Sequence, residues 1–128
     1  MAGPSSSKPH FSGQPLIEAY GDFGFRLEGQ RFEGAVLLTP SGLYPWPVAD
    51  LSEVTAESLS PAVSVKSSFD ILLFGAGASF ARLPREIAEM LEEEGISFDV
   101  MDSPAAARTY NLLMDEGRRV AAAIIAVE

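Results

Sequence analysis

The sequence predicts an α/β domain: a single-domain three-layer sandwich around a mixed β-sheet, with an N-terminal antiparallel meander and a C-terminal β-α-β-α-β unit. Three observations carry that prediction. The run Asp70-Ile71-Leu72-Leu73-Phe74 empties into Gly75-Ala76-Gly77, as a buried strand does when it leaves into a turn. Pro84 and Gly95 bracket an apolar stripe of Ile87, Met90 and Leu91, with Leu83 at its entry, while Glu86, Glu89, Glu92 and Glu93 take the wet side of the same helix. A second run, Ser97-Phe98-Asp99-Val100-Met101, passes through Asp102-Ser103-Pro104 into another helical segment that Gly117 closes. Strand, helix and strand in one sheet require a right-handed crossover, so the strands at 70–75 and 97–101 are predicted to be parallel.

The elements follow in chain order. Residues 1–14, rich in Ser, Gly and Pro, read as a flexible tail, and 15–128 as one α/β domain. Strands are predicted at 16–20, 23–27, 31–39 and 43–44, separated by turns at Gly21-Asp22, Gly29-Gln30 and Pro40-Ser41-Gly42. Phe23, Phe25 and Leu27 alternate with Gly24 and Arg26, which predicts a half-buried strand with the three apolar side chains inward. Pro45-Trp46-Pro47 excludes regular helix and disfavours a central strand. A short helix is expected from Thr55 to Leu59, with Pro61 stopping it. The helix after the 97–101 strand takes Ser103 as its N-cap and Pro104 in its first turn, and runs to about Glu116. Alanines from 121 to 123 would allow helix, but Gly117 before them and Ile124-Ile125-Ala126-Val127 after them favour a last strand.

Composition narrows the function. A chain of 128 residues suits one domain with one sizeable core. Its net charge of −9 argues against sequence-independent binding of nucleic acid, which needs Lys and Arg to displace counterions, and against an anionic membrane surface. The absence of cysteine excludes disulfides, thiolate chemistry, iron–sulfur ligation and cysteine-based zinc sites, and fits a reducing compartment. The single histidine, His10, falls in the tail, so a Ser-His-Asp triad would have to draw on it. No metal site and no cofactor are expected. Residues 1–14 hold no apolar targeting core, and no apolar run approaches the ~20 residues of a membrane-spanning helix.

Parallel strands bring the loops after their carboxyl ends to one rim, where α/β proteins commonly bind ligands. That rim holds Gly75, Gly77, Ser79, Asp102 and Ser103, with two helix N-termini aimed at it, which suits a small polar or anionic ligand. Against this, a dinucleotide fingerprint needs a third glycine where Phe80 stands, both helices begin with proline, and Asp102 repels an anion. On the last helix Arg108, Asn111 and Asp115 share one face. Arg108 could bind a carboxylate that Asn111 orients, or the row could be an ordinary solvated face. Ala105, Thr109 and Leu112, with Ala106, Tyr110 and Leu113, are read as the sides facing the sheet. Lys66, before the most buried strand, reads as a strand-edge lysine rather than a desolvated nucleophile. Trp46, between two prolines, is a candidate partner contact and equally a closure for the end of the core.

Two segments resemble a known family closely: Asp70 through Gly77, and Met101-Asp102-Ser103-Pro104 through Leu113 with Glu116-Gly117-Arg118-Arg119-Val120-Ala121-Ala122. This is the small α/β family that includes the mitochondrial complex I (NADH:ubiquinone oxidoreductase) assembly factor and many bacterial and archaeal proteins of unknown function. The Tyr110-Asn111 pair and the Glu116-Gly117-Arg118 run are its most specific marks here. The resemblance spans about residues 11–127 and is weakest around 50–66. It implies a three-layer mixed-sheet fold and no assumed enzymatic activity. The mitochondrial member works by binding other assembly proteins and early complex I subunits near the inner membrane. The lack of an evident transit peptide points to a bacterial relative.

Two functions remain open on this reading. One is a non-enzymatic interaction protein, an assembly or accessory factor for respiratory complex I, cytoplasmic or peripheral to the inner membrane through complex I subunits or assembly proteins. The other is a small-molecule-binding protein or enzyme with a polar pocket built from Gly75, Gly77, Asp102, Arg108 and Asn111. A homo-oligomer using the same surface is a third arrangement.

Overall fold

Two tight hairpins begin the described chain, and the chemistry of their turns sets the register. The computed structural model describes residues 8–11 and 13–128. In it β1 (Ala19–Gly21), β2 (Gly24–Leu27) and β3 (Gln30–Glu33) form a three-stranded antiparallel sheet. Glu28 and Gly29, with φ of +51° and +74°, make the second turn, and positive φ at both central residues is the twist that joins antiparallel strands best. Asp22 and Phe23 make the first turn in the same way, with φ of +51° and +58°. Phe23 is therefore a turn residue and exposed, while Phe25 and Leu27 point inward as expected.

The strand expected over 31–39 is two strands. Gly34, at φ +82°, carries the chain out of the small sheet and into a larger one. That larger sheet has the order β5-β4-β8-β6-β7, built from β4 (Ala35–Thr39), β5 (Gly42–Trp46), β6 (Ile71–Gly75), β7 (Phe98–Met101) and β8 (Val120–Ile124). β4 pairs antiparallel with both β5 and β8, and β6 pairs parallel with both β7 and β8, as the crossover rule requires. β5 is an edge strand, which is where Pro45 can sit without leaving a ladder position short of its N–H. On the outer side of β5, His10 donates its N–H to Leu43 O at 2.6 Å and accepts from Leu43 N at 3.0 Å. Of the tail expected over 1–14, residues 1–7 and 12 lie outside the described residues.

Three helical elements complete the layers. Pro61 does not stop a helix. It opens one, as a first-turn residue of α1 (Ser60–Val63), after a 3-10 turn at Glu57–Leu59. A missing N–H is harmless in a first turn, which is why proline begins helices as readily as it ends them. α2 (Arg85–Glu93) and α3 (Ser103–Asp115) both end in Schellman motifs. After α2, Gly95 N donates to Glu92 O and Ile96 N to Leu91 O; after α3, Gly117 N donates to Met114 O and Arg118 N to Leu113 O. Both glycines sit at φ +75°.

The large sheet buries both faces. On one, Leu37, Trp46, Leu72, Phe74, Ala121 and Ala123 pack with Leu59, Ile87 and Leu91 under α1 and α2. On the other, Val36, Leu38, Leu73, Ala122 and Ile124 pack with Ala106, Ala107 and Tyr110 of α3 and with Phe25 and Leu27 of the small sheet. The outer layer on that face is thus half helix and half hairpin. Leu112 is exposed, so the sheet-facing side of α3 is narrower than its sequence suggests. Lys66 lies in a 3-10 turn and pairs with Glu94 at 2.7 Å.

At Gly75 the start of α3 lies close against the sheet. A β-carbon there would stand 2.7 Å from Ile124 Cγ2, 2.9 Å from Ser103 Oγ and 3.0 Å from Ser103 Cα. Gly75→Ala should therefore lower stability by about 1–3 kcal/mol, as overpacking of a filled core does. Chemical denaturation measures it, and an unchanged midpoint would contradict the packing described. At the opposite sheet end Arg119 holds Asp70 through Nη2–Oδ1 at 2.8 Å and Nε–Oδ2 at 3.3 Å. That hydrogen-bonded guanidinium keeps the Asp70 carboxyl below its ordinary 3.8. A lowered folded-state pKa stabilises above the unfolded value, and the gain is lost as pH falls through the folded one. Wild type should accordingly lose more stability than Asp70→Asn on going from about pH 5 to about pH 2, in urea melts across that range.

Candidate functional site

The carboxyl ends of β6, β7 and β8 do meet at one rim, and Ser103 organises it. Ser103 is buried in the first turn of α3, and its hydroxyl donates to Ile125 O at 2.6 Å and accepts from Gly77 N at 2.9 Å. Ser103 N in turn donates to Gly77 O at 2.7 Å. One side chain therefore stitches the loops after β6 and β8 together. The N-cap of α3 is Asp102 and not Ser103: the Asp102 carboxylate accepts from Ala105 N at 2.7 Å. A carboxylate suits that place because it meets free amides and the positive end of the helix dipole.

The rim amides of Ala76, Gly77, Ser103 and Ala105 are thus already bonded within the protein. A hollow of about 410 Å³ does open there, lined by Ala76, Gly77, Phe80 and Ile125 together with Phe23. Asp102, Arg108 and Asn111 are not in its lining. The five residues grouped by sequence as one polar pocket fall in two places. Gly75, Gly77 and Asp102, which caps α3, lie at the rim, and Arg108 and Asn111 lie further along that helix, Arg108 exposed.

Asn111 has a different task. Its Oδ1 accepts from Ile17 N at 2.9 Å and its Nδ2 donates to Ile17 O at 2.8 Å. One amide side chain so completes the backbone of Ile17 as a neighbouring strand would. Beside it the buried Tyr110 hydroxyl donates to Pro15 O at 2.7 Å, and burial pushes that phenol above its ordinary range. Gln14 Nε2 donates to Val120 O in the same corner. Tyr110 and Asn111 together clamp the segment entering β1 onto α3. The partner atoms lie 94 and 95 residues away in the chain, and no local pattern reveals them.

Trp46 is 3% exposed. Its indole N–H donates to Ser58 O at 3.1 Å and its ring lies 6.3 Å from that of Phe74. It closes one end of the core, and the surface above it is a hollow of about 580 Å³ that also takes in Pro45, Pro47, Glu33 and Glu57. A second hollow of about 410 Å³ continues past Pro47 and Ala49 to Phe23. The large apolar side chains that do reach solvent nearby are Phe23 and Phe80, at 57% and 62% exposure. Sequence alternation placed Phe23 inward. The signal that would have corrected it is the pair of glycines around Asp22-Phe23, which frames a two-residue turn. Among the described residues, no group of three or more His, Asp and Glu side chains is placed to hold a metal ion, and no helix is long and apolar enough to cross a membrane.

Comparison with known proteins places these features in a family. Residues 17–125 match the family described as a protein of unknown function (DUF498/DUF598). The chain is 34% identical over 110 residues to NADH dehydrogenase (ubiquinone) 1 alpha subcomplex assembly factor 3 of Danio rerio, across 86% of this chain and 63% of that protein. It is 35% identical over 118 residues to an uncharacterized protein of Rhodobacter capsulatus, across 92% of this chain and 90% of that one. Its fold is similar to a crystal structure from Bartonella henselae described as an outer membrane protein, with TM-score 0.88, 39% identity, and coverage of 93% of this chain and 100% of that one. The chain therefore spans under two thirds of the zebrafish factor's length and nearly all of each bacterial relative's.

The clamp makes a direct prediction. Asn111→Ala leaves a backbone donor and acceptor of Ile17 without partners and should cost about 1–3 kcal/mol. Tyr110→Phe, which frees only the Pro15 carbonyl, should cost about 1 kcal/mol. Amide hydrogen exchange at Ile17 should speed up in Asn111→Ala. Unchanged exchange there, with native stability, would show that the clamp does not hold the segment.

Proposed function

The chain belongs to the DUF498/DUF598 family of proteins of unknown function, and from that premise we propose that it is a non-enzymatic interaction protein, an assembly or accessory factor for respiratory complex I. The observation that carries this reading is the kinship with the zebrafish assembly factor, at 34% identity across 86% of this chain. The site geometry supports it. Every polar side chain that sequence grouped into a pocket, Arg108 apart, is committed to the protein's own backbone. No buried side-chain nitrogen or oxygen among the described residues lacks a hydrogen-bond partner. Displaced titrations belong to bonded structural groups: the Asp70–Arg119 pair, Arg31 beside Glu33, Asp50 capping a turn, and the clamping Tyr110. A catalytic group would be displaced inside a cleft that substrate can enter.

On this reading the partners are complex I subunits or other assembly proteins, met on the cytoplasmic side at the inner membrane. The description of the Bartonella relative as an outer membrane protein points elsewhere for that protein. Separation of inner and outer membranes, probed for this chain, decides between the two locations.

The test is affinity capture of the tagged chain from gently solubilised cells of its own source. Complex I subunits should be enriched over an unrelated acidic bait of similar size. Their absence, with the bait expressed and folded, would remove the assembly role. Trp46→Ala is unsuitable as the interface control, because truncating a buried tryptophan costs about 3–5 kcal/mol and removes the fold along with any surface.

A further inference from the structure

Phe23 combines two features that no other described residue combines. It is a large exposed apolar side chain, and it holds a positive φ that bulky residues rarely adopt. The strain is held in place by the fold: Phe23 N donates to Val127 O at 2.7 Å, Phe23 O accepts from Gly34 N at 2.8 Å, and Arg31 Nη2 donates to Asp22 O at 2.7 Å. The ring gains little burial within this chain in return. Strain that the surroundings enforce gathers where a side chain has to be presented.

What the ring borders is apolar and acidic. Phe23 lines two adjoining hollows, and a third shares Ala35, Trp46 and Pro47 with one of them. Together they form a furrow from Phe80 past Phe23 to Pro45. Asp50, Glu53 and Glu57 line it, and no lysine or arginine does among the described residues. Glu33 also lines it, with its charge offset by Arg31 at 2.7 Å. The Ser52 amide donates to the Asp50 carboxylate at 2.9 Å and holds it below its ordinary range.

We propose that Phe23 and Phe80 anchor a docking furrow for a basic amphipathic segment of a protein partner. Apolar anchors in a trough account for affinity, and the carboxylates select lysine and arginine on the incoming segment. Nucleic acid and anionic lipid are repelled by the same charge. The proposal rests on the interaction-protein reading and gives it a surface and a partner chemistry.

The test uses a synthetic helical peptide of about 18 residues, leucines at i, i+3, i+4 and i+7 and lysines elsewhere, with a glutamate-for-lysine counterpart and phosphatidylcholine vesicles as controls. Fluorescence anisotropy should show binding of the lysine peptide alone. Phe23→Asn and Phe80→Ser should each weaken it at least tenfold, and Leu112→Ser, exposed on α3, should not. Asparagine tolerates the left-handed turn, so Phe23→Asn should keep or raise the melting temperature while losing the peptide, which no structural role for the ring would produce. Equal binding by Phe23→Asn, Phe80→Ser and wild type, equal binding of the glutamate peptide, or binding to vesicles would each overturn the proposal. Capture of complex I subunits that survives Phe23→Asn would refute the furrow and leave the assembly role. Peptide loss in that variant, without any capture by wild type, would refute the assembly role and leave the furrow.

Discussion

β8 lies between β4 and β6, antiparallel to one and parallel to the other, and both halves of the molecule are built against it. The N-terminal half reaches it through β4 and through Gln14 on Val120 O, and reaches the residues after it through Phe23 N on Val127 O. The C-terminal unit reaches it through β6, and reaches Ile125 just past its end through the Ser103 hydroxyl. A strand in that position is buried on both faces and must not be too thick. Ala121, Ala122 and Ala123 meet that demand, letting Phe74 and Trp46 fill one side and Tyr110 the other. Because β8, distant in sequence from β4, forms the sheet's centre, most contacts are long-range, a topology that folds slowly.

That dependence explains which parts could be read from residues in sequence. β6, α2, β7 and α3 each carry their own punctuation: a glycine turn after β6, Pro104 at the start of α3, and Gly95 and Gly117 in the Schellman motifs. Local signals set local structure, so these elements and the parallel pairing were legible. β8 was legible only by weighing Gly117 against three alanines, because its strand form comes from its neighbours and not from propensity. The break at Gly34 was hidden, since one glycine separating two sheets looks like any glycine in a run. Pro61 was misplaced because proline's rule depends on which turn of the helix it occupies.

The candidate site was less legible, for a physical reason. Arg108, Asn111 and Asp115 share a helix face, and helical spacing alone cannot say what covers it. The answer lies in Pro15 and Ile17, brought there by the whole fold. Trp46 between two prolines could close a core or meet a partner. The choice depends on Phe74 and Ser58, which are distant or irregular in sequence.

Residues in the two segments that resemble the family are, in this chain, parts of the frame. Tyr110 and Asn111 clamp the entering segment, Gly117 ends α3, and Gly75 lets Ser103 approach the sheet. Such residues carry a fold from one relative to another without carrying an activity. Whatever distinguishes one member's partner from another's has to sit on surface that the frame leaves unconstrained. In this chain that surface includes the tip of the β1–β2 hairpin and the loop after β6, where Phe23 and Phe80 stand in the open beside a trough of acidic and apolar side chains. A hairpin tip can change its two central residues at little cost to the sheet behind it, because the ladder ends at Gly21 and Gly24. An aromatic ring at a position that favours glycine or asparagine gains little within the chain, and the proposed furrow gives it a partner outside.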